Sequence, residues 1–245
     1  MAKVRADSLL VARGLADSRA KARAAIEAGG VLADGSMVAK ASELLDETVA
    51  LTAEAAHPWV GRGALKLVAA LDLWPVTVEG RTVLDIGAST GGFTEVCLAR
   101  GAVRVFAVDV GRGQLHPKLR YDGRVVSLES TDARALTTDL VPQPPDLVVC
   151  DASFIGLAKV LPAALSLARD DADLIALVKP QFEVGPDRVG KGGLVTDLGH
   201  QAEALVAVVT FLEANSWLVQ ARAESPIAGG AGQREFLVWA QKNTR

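Results

Sequence analysis

Four charged residues interrupt or border apolar stretches of the chain. "LIALVKPQFE" sets Lys179 at the end of an apolar run, and "VVCDASF" sets Asp151 at the end of another. An ammonium held among apolar neighbours can stabilise the oxyanion that develops on a sugar hydroxyl, otherwise a poor nucleophile at neutral pH. On adjacent strands, the two side chains would project from the strand ends toward one pocket. Lys66 interrupts the small and aliphatic "GALKLVAAL", and Glu235 opens "EFLVWA" after the glycine-rich "PIAGGAGQR". Taken singly, each of the four is equally an ordinary helix-surface or strand-end charge.

A second constellation lies in "RTVLDIGASTGGFTE", residues 81–95. Gly87, Gly91 and Gly92 let the chain turn sharply after a strand and approach a ligand with no Cβ in the way. Asp109 ends the next strand, 22 residues after Gly87, near the place where an acid meets ribose hydroxyls in such folds. A dinucleotide would require GxGxxG, but Ser89 stands at its central glycine. S-adenosylmethionine has no phosphate to cradle, and its binding strand commonly carries an acid before the glycines; Asp85 holds that place. The loop thus resembles motif I of class I methyltransferases. The cofactor would lie over Gly87–Phe93, with Asp132 after the third strand on the adenine side. A tight turn that binds nothing is the plainer alternative.

These residues need a scaffold to converge on. Strand patterns at "TVLDIG", "VRVFAVDV", "RVVSLEST", "DLVVCDA", "ADLIALVKP", "WLVQARAES" and "EFLVWAQ" alternate with helical ones. Their near-continuous Val/Leu/Ile runs predict an α/β fold, a mostly parallel Rossmann-like sheet with helices on both faces. Ligands on such sheets lie beyond the carboxyl ends of the strands. Ahead of it, "RADSLLVARGL" and "DSRAKARAAIEAGG" read as two short helices stopped by Gly14 and Gly29–Gly30. "VLADGSMVAK" carries an Asp34–Gly35 hairpin signal, and "ETVALTA" supplies a strand to pair with it. The expected organisation is a small α/β domain over 1–56, a linker over 57–62 broken by Pro58 and glycines, and a large domain over 63–245.

The net charge of −3 hides an asymmetry. Residues 1–25 hold six Lys/Arg against two Asp, whereas 26–56 hold one Lys against six acids. Positive charge at one end is the electrostatic footprint of a nucleic-acid partner. Arg19 and Arg23 lie one helical turn apart on one face. With Arg5, Arg13 and Lys21 they could track a folded RNA backbone, and Arg188 and Lys191 of "GPDRVGKGGLVTD" could reach phosphates; a solvated basic helix and a plain surface loop are the alternatives.

Together these segments are similar to a known family. Lys66, Asp151, Lys179 and Glu235 look like the Lys-Asp-Lys-Glu tetrad of FtsJ-like ribose 2′-O-methyltransferases. "RGALKL", "LDIGASTGGFTE", "VDVGRGQL", "DASFI", "LVKPQFE", "VGKGGLV" and the terminal "EF" extend the resemblance to the TlyA family of ribosomal-RNA methyltransferases, often labelled haemolysin A. The N-terminal "LLVARGLADSRAKARAAIEAGGVLADG" resembles that family's small RNA-binding domain. Gln233 stands where the family has Asn, and His57 where its linker has Arg. The resemblance implies S-adenosylmethionine as cofactor and a cytidine 2′-hydroxyl of ribosomal RNA as acceptor. The short termini resemble members associated with the large subunit. It implies ribosomal RNA or a ribosomal subunit as partner, with neither metal nor membrane, and leaves the oligomeric state open.

Composition trims the alternatives. Only Cys97 and Cys150 occur, with no CxxC pair, which supports neither a disulfide framework nor a thiolate zinc site. No apolar run approaches a membrane span, so a soluble cytoplasmic protein is expected rather than a membrane-active toxin. A non-catalytic RNA-binding factor on a degenerate methyltransferase fold remains the alternative function.

Overall fold

The structure is a computed structural model and describes residues 3–27, 29–54, 57–229 and 232–243. Its contacts divide the chain into two units, Met1–Pro58 and Trp59–Arg245. Residues 59–62, expected in a linker, pack within the second unit. Val60 is buried there and its N–H donates to Glu95 Oε2 at 2.6 Å.

In the first unit, β1 (Lys3–Arg5) leads into α1 (Ala6–Ala12) and α2 (Arg19–Glu27). The turn after α2 closes with Gly29 and Gly30 N–H groups donating to Ile26 and Ala25 carbonyls, which ends the helix where the two glycines were read. β2 (Val31–Ala33) and β3 (Ser36–Met37) form a hairpin around Asp34 and Gly35, both at positive φ. β4 (Leu44–Asp46) pairs antiparallel with β1, and β5 (Leu51–Ala53) with β2. Leu9, Leu10, Ile26, Val31 and Leu45 fill the small core.

The second unit opens with α3 (Ala64–Leu73), β6 (Thr82–Ile86), α4 (Gly92–Ala99), β7 (Arg104–Asp109), α5 (Pro117–Arg120) and β8 (Val125–Glu129). Next come β9 (Leu147–Cys150), α6 (Leu157–Val160), α7 (Pro162–Leu167), β10 (Asp173–Val178) and α8 (Pro180–Glu183). The long α9 (Leu198–Ala214), β11 (Trp217–Glu224) and β12 (Phe236–Lys242) complete it. The strands form one seven-stranded sheet in the order β11-β12-β10-β9-β6-β7-β8. Pairing is parallel from β10 through to β8, and β12 runs antiparallel to both its neighbours.

Strand alternation sorts the core into two layers. Val83, Val105, Val149 and Leu177 point to one face, under Leu67 of α3 and Val96 and Cys97 of α4. Leu84, Phe106, Val148 and Ala176 point to the other, under Val160, Leu165, Val208 and Leu212 of α6, α7 and α9. Coverage on both faces is why these strands read as unbroken apolar runs.

Candidate active site

The strand order reverses between β6 and β9, so the crevice beyond their carboxyl ends is where a ligand fits. Asp151 directly follows β9 and Lys179 directly follows β10, on adjacent parallel strands. The antiparallel β10–β12 register ends with Val178 opposite Phe236, which carries Glu235 to the same end of the sheet. Lys66 reaches in from the first turn of α3.

The four side chains meet. Lys179 Nζ lies 2.7 Å from Asp151 Oδ1 and donates to the Asp151 carbonyl at 3.0 Å and to Ser153 Oγ at 2.7 Å. Lys66 Nζ lies 2.6 Å from Glu235 Oε2 and 3.4 Å from Asp151 Oδ2. Lys66, Lys179 and Glu235 are buried, and Asp151 is half-buried between the two lysines. Two cations and two anions cancel, which is how four ionic groups can be held away from water. Gly229 is part of the fit: a Cβ there would fall 2.0 Å from Glu235 Oε1.

The glycine turn forms the floor. Gly87 has φ +80°, and a Cβ on it would meet the Ala152 backbone at 2.9 Å, so only glycine lets the turn nest against the end of β9. Ser89 also adopts a positive φ, and its N–H donates to Asp109 Oδ2 at 2.8 Å. The other Asp109 oxygen accepts from Gly111 N–H at 2.7 Å, so the carboxylate is fixed by the loops on either side.

Two cavities flank this turn. The larger, 510 Å³, is lined by Gly87, Ser89, Asp109, Gln114, Asp132 and Phe154 among others. The smaller, 220 Å³, is lined by Gly61–Gly63, Gly87–Thr90, Gly92, Phe93, Asp151, Ser153 and Lys179. Gly87, Ser89, Asp151 and Ser153 border both. Asp132 is tied to Arg134 and caps the turn that follows, and these bonds hold its carboxyl down at about 2.

Two predicted cofactor residues line neither cavity. Gly91 caps the start of α4 at φ +97° and packs against Leu115 and Leu119. Asp85 is fully buried beneath the turn, accepting from Thr94 Oγ1 at 2.6 Å while its Oδ1 has no partner. Burial pushes its carboxyl up to about 7. Period two from Val83 sends Asp85 into the layer under α4, one level below the ligand surface.

Sequence reasoning passed over Ser153, which shares Lys179 with Asp151, and Arg62, an exposed cation on the smaller cavity. Their only signal was proximity: two residues beyond Asp151, and four before Lys66. Phe154, nearly fully exposed at positive φ, lies 5.3 Å from the Phe182 ring at the rim.

The expected RNA-contacting cations are mostly engaged within the protein. Arg5 and Arg19 both pair with buried Asp7 at 2.9 Å, and Arg5 chiefly holds that carboxyl well below its usual range. Arg13 donates to the Glu47 and Val49 carbonyls, Lys21 pairs with Asp17, and Arg188 pairs with Glu203. Arg23 is exposed and pairs with no acid among the described residues, and Lys191 is exposed in the loop after β10. That loop is anchored by buried Gln233, which accepts from Val195 N–H at 2.7 Å next door to Glu235.

A doubly covered sheet of this strand order, with a glycine turn at its switch point and a Lys-Asp-Lys-Glu cluster above it, defines a class I methyltransferase. Residues 59–242 match the FtsJ-like methyltransferase model and residues 4–49 the S4 domain. The 16S/23S rRNA (cytidine-2′-O)-methyltransferase TlyA of Mycobacterium tuberculosis is 48% identical over 99% of this chain and 91% of its own length. The 23S rRNA (cytidine-2′-O)-methyltransferase TlyA of Campylobacter jejuni is 35% identical over 76% and 72%. A solved structure described as "Putative hemolysin from Streptococcus thermophilus" superposes with TM-score 0.79, at 38% identity, over 99% of this chain and 90% of that one. This chain belongs to the FtsJ-like methyltransferase family, in its TlyA branch, and carries an S4 domain at its N-terminal end.

Proposed function

We propose that the protein transfers a methyl group from S-adenosylmethionine to the 2′-hydroxyl of a cytidine in large-subunit ribosomal RNA, in the cytoplasm. The observation that carries the reading is Lys179: a buried ammonium, ion-paired to Asp151, at the smaller of two cavities that share a wall. The relatives named for cytidine-2′-O methylation of 23S RNA supply the acceptor. Among the described residues no helix is long and apolar enough to cross a membrane, so the hemolysin label of the structural relative finds no spanning helix to act through.

The larger cavity suits the cofactor. Its 510 Å³ falls within the range of small-molecule sites, about 300–1,000 Å³. Its fixed Asp109 carboxylate keeps lone pairs for ribose hydroxyls, and Asp132 stands farther along the wall for the adenine. When bound there, the cofactor supplies an activated methyl on a sulfonium. The chain itself supplies position and charge. Lys179 donates to the acceptor oxygen and stabilises the negative charge that grows on it. Asp151 orients the ammonium and is placed to take the hydroxyl proton as the new O–C bond forms. Lys66, between Asp151 and Glu235, keeps that carboxylate aimed at Lys179.

For the first unit we assign backbone recognition of folded RNA, with Arg23, which pairs with no acid among the described residues, as one of its cations. The exposed Lys21–Asp17 pair costs little to open, so Lys21 can exchange its acid for a phosphate, whereas Arg19 stays tied to buried Asp7 and offers only its exposed edge. The decisive experiment is transfer of labelled methyl to ribosomal RNA, with nucleoside mass spectrometry of the product. The wild type should yield 2′-O-methylcytidine and Lys179→Ala at least a hundredfold less, a typical loss on removing such a group. Near-normal turnover by Lys179→Ala would remove the residue from the chemistry.

A further inference from the structure

Lys179 Nζ is closely surrounded. It donates to the Asp151 carbonyl and to Ser153 Oγ and is ion-paired to Asp151 Oδ1, so three oxygens lie within 3.0 Å of it. An acceptor hydroxyl that approaches Lys179 therefore competes with these oxygens for its N–H groups. The carbonyl is fixed in the backbone at the end of β9. The Asp151 carboxylate carries charge and is also held by Lys66, 3.4 Å from its second oxygen. Ser153 alone is neutral and exposed, and it moves by rotation about a single bond.

Its position fits the same conclusion. Ser153 borders the larger cavity and the smaller one, so its hydroxyl lies beside their common wall, where an acceptor oxygen must lie to meet a methyl donor. Resting on the reading of this site as a sugar 2′-O-methyltransferase, we propose that the Ser153 hydroxyl is a placeholder for the acceptor hydroxyl. Without RNA it satisfies one N–H of a buried ammonium, which would otherwise be left unpaired at a real cost. With RNA the ribose hydroxyl takes over that hydrogen bond and Ser153 rotates away. One hydroxyl replaces another, so the charge of the site is unchanged, while the acceptor must pay in affinity for the bond it breaks.

Steady-state methylation of ribosomal RNA by the full chain tests this, with Ser153→Ala and Ser153→Thr compared with the wild type. Ser153→Ala should lower the RNA KM about three- to tenfold, the worth of one hydrogen bond, with kcat within about twofold. Ser153→Thr, which keeps the hydroxyl, should restore the wild-type KM. Loss of kcat in Ser153→Ala with KM unchanged would overturn the proposal and make the hydroxyl a relay or a support. Identical kinetics for all three proteins would overturn it as well. Absence of 2′-O-methylcytidine from the wild-type reaction would instead sink the functional reading beneath it. An unfolding midpoint of Ser153→Ala lowered by only a few degrees, as one unpaired buried N–H requires, together with retained S-adenosylmethionine binding, separates these outcomes from a folding defect.

Discussion

The Lys66–Glu235 pair offers a quantitative probe of how the tetrad is held. Nζ and Oε2 are 2.6 Å apart, with side-chain exposures of 8% and 3%. Removing one partner of a buried pair strands the other and costs about 3–5 kcal/mol. Lys66→Met strands Glu235, which has no second cation among the described residues, and should lose close to the full amount. Glu235→Gln should lose less, because Lys66 keeps Asp151 at 3.4 Å. The double variant strands neither charge beside the other, so it should be more stable than Lys66→Met alone, giving a coupling energy of about 2 kcal/mol or more. At about 2–4 °C per kcal/mol for a unit of this size, Lys66→Met should lower the unfolding midpoint by roughly 6–20 °C. The assay reports on the right unit without labelling. All four tryptophans, Trp59, Trp74, Trp217 and Trp239, belong to the second unit, so intrinsic fluorescence follows it alone. Additive single effects, to within about 0.5 kcal/mol, would refute the claim that burial makes this pair interdependent.

Two further expectations follow from the charges around the site and in the S4 unit. Asp85, held at about 7 by burial, binds a proton in the folded state that it releases when unfolded, so its stabilising share is full at acid pH and is lost as pH rises from about 4 through 7; Asp85→Asn should flatten the fluorescence-monitored stability profile across that window, and an unchanged slope would show that the carboxyl is solvated. In the first unit, Arg23→Glu should weaken RNA binding and reduce the log–log salt slope by about 1 or more at unchanged stability, whereas Arg19→Glu should also destabilise the unit, because Asp7 then loses a partner; salt-titrated binding that is the same for Arg23→Glu and wild type would remove that face from recognition.

Much of this architecture is legible in the chain because burial on both faces leaves little room for ambiguity. The inner strands β6, β7, β9 and β10 were apolar runs, the edge strand β11 alternates in burial, and the two acids that end β7 and follow β9, Asp109 and Asp151, mark the edge where the larger cavity lies. The Asp34–Gly35 turn fixed a hairpin register locally. The β1–β4 pair was not legible: each strand has three residues, too few for a period, and about forty residues separate them. Charge counts misled in a different way. The surplus of Arg and Lys over 1–25 suggested free cations, but Asp7 sits buried in α1 and gathers Arg5 and Arg19 around it. Composition registers the number of charges and not their partners.

The tetrad shows why single residues said so little and the set said so much. Lys66, Asp151, Lys179 and Glu235 span 169 residues of chain. Nothing local links them; the link is the register of β10, parallel to β9 on one side and antiparallel to β12 on the other. A shift by one residue in either pairing would turn side chains to the opposite face and leave an uncompensated charge among Val178, Leu177 and Leu237. The four charges therefore act as a check on strand register: the cluster is neutral, and can stay buried, only when all four arrive. Asp85 lies outside that cancellation, beneath the glycine turn with one oxygen unpartnered. A carboxyl in that position stays buried by holding its proton, so the chain accommodates buried acids here in two ways, by pairing above the turn and by protonation below it.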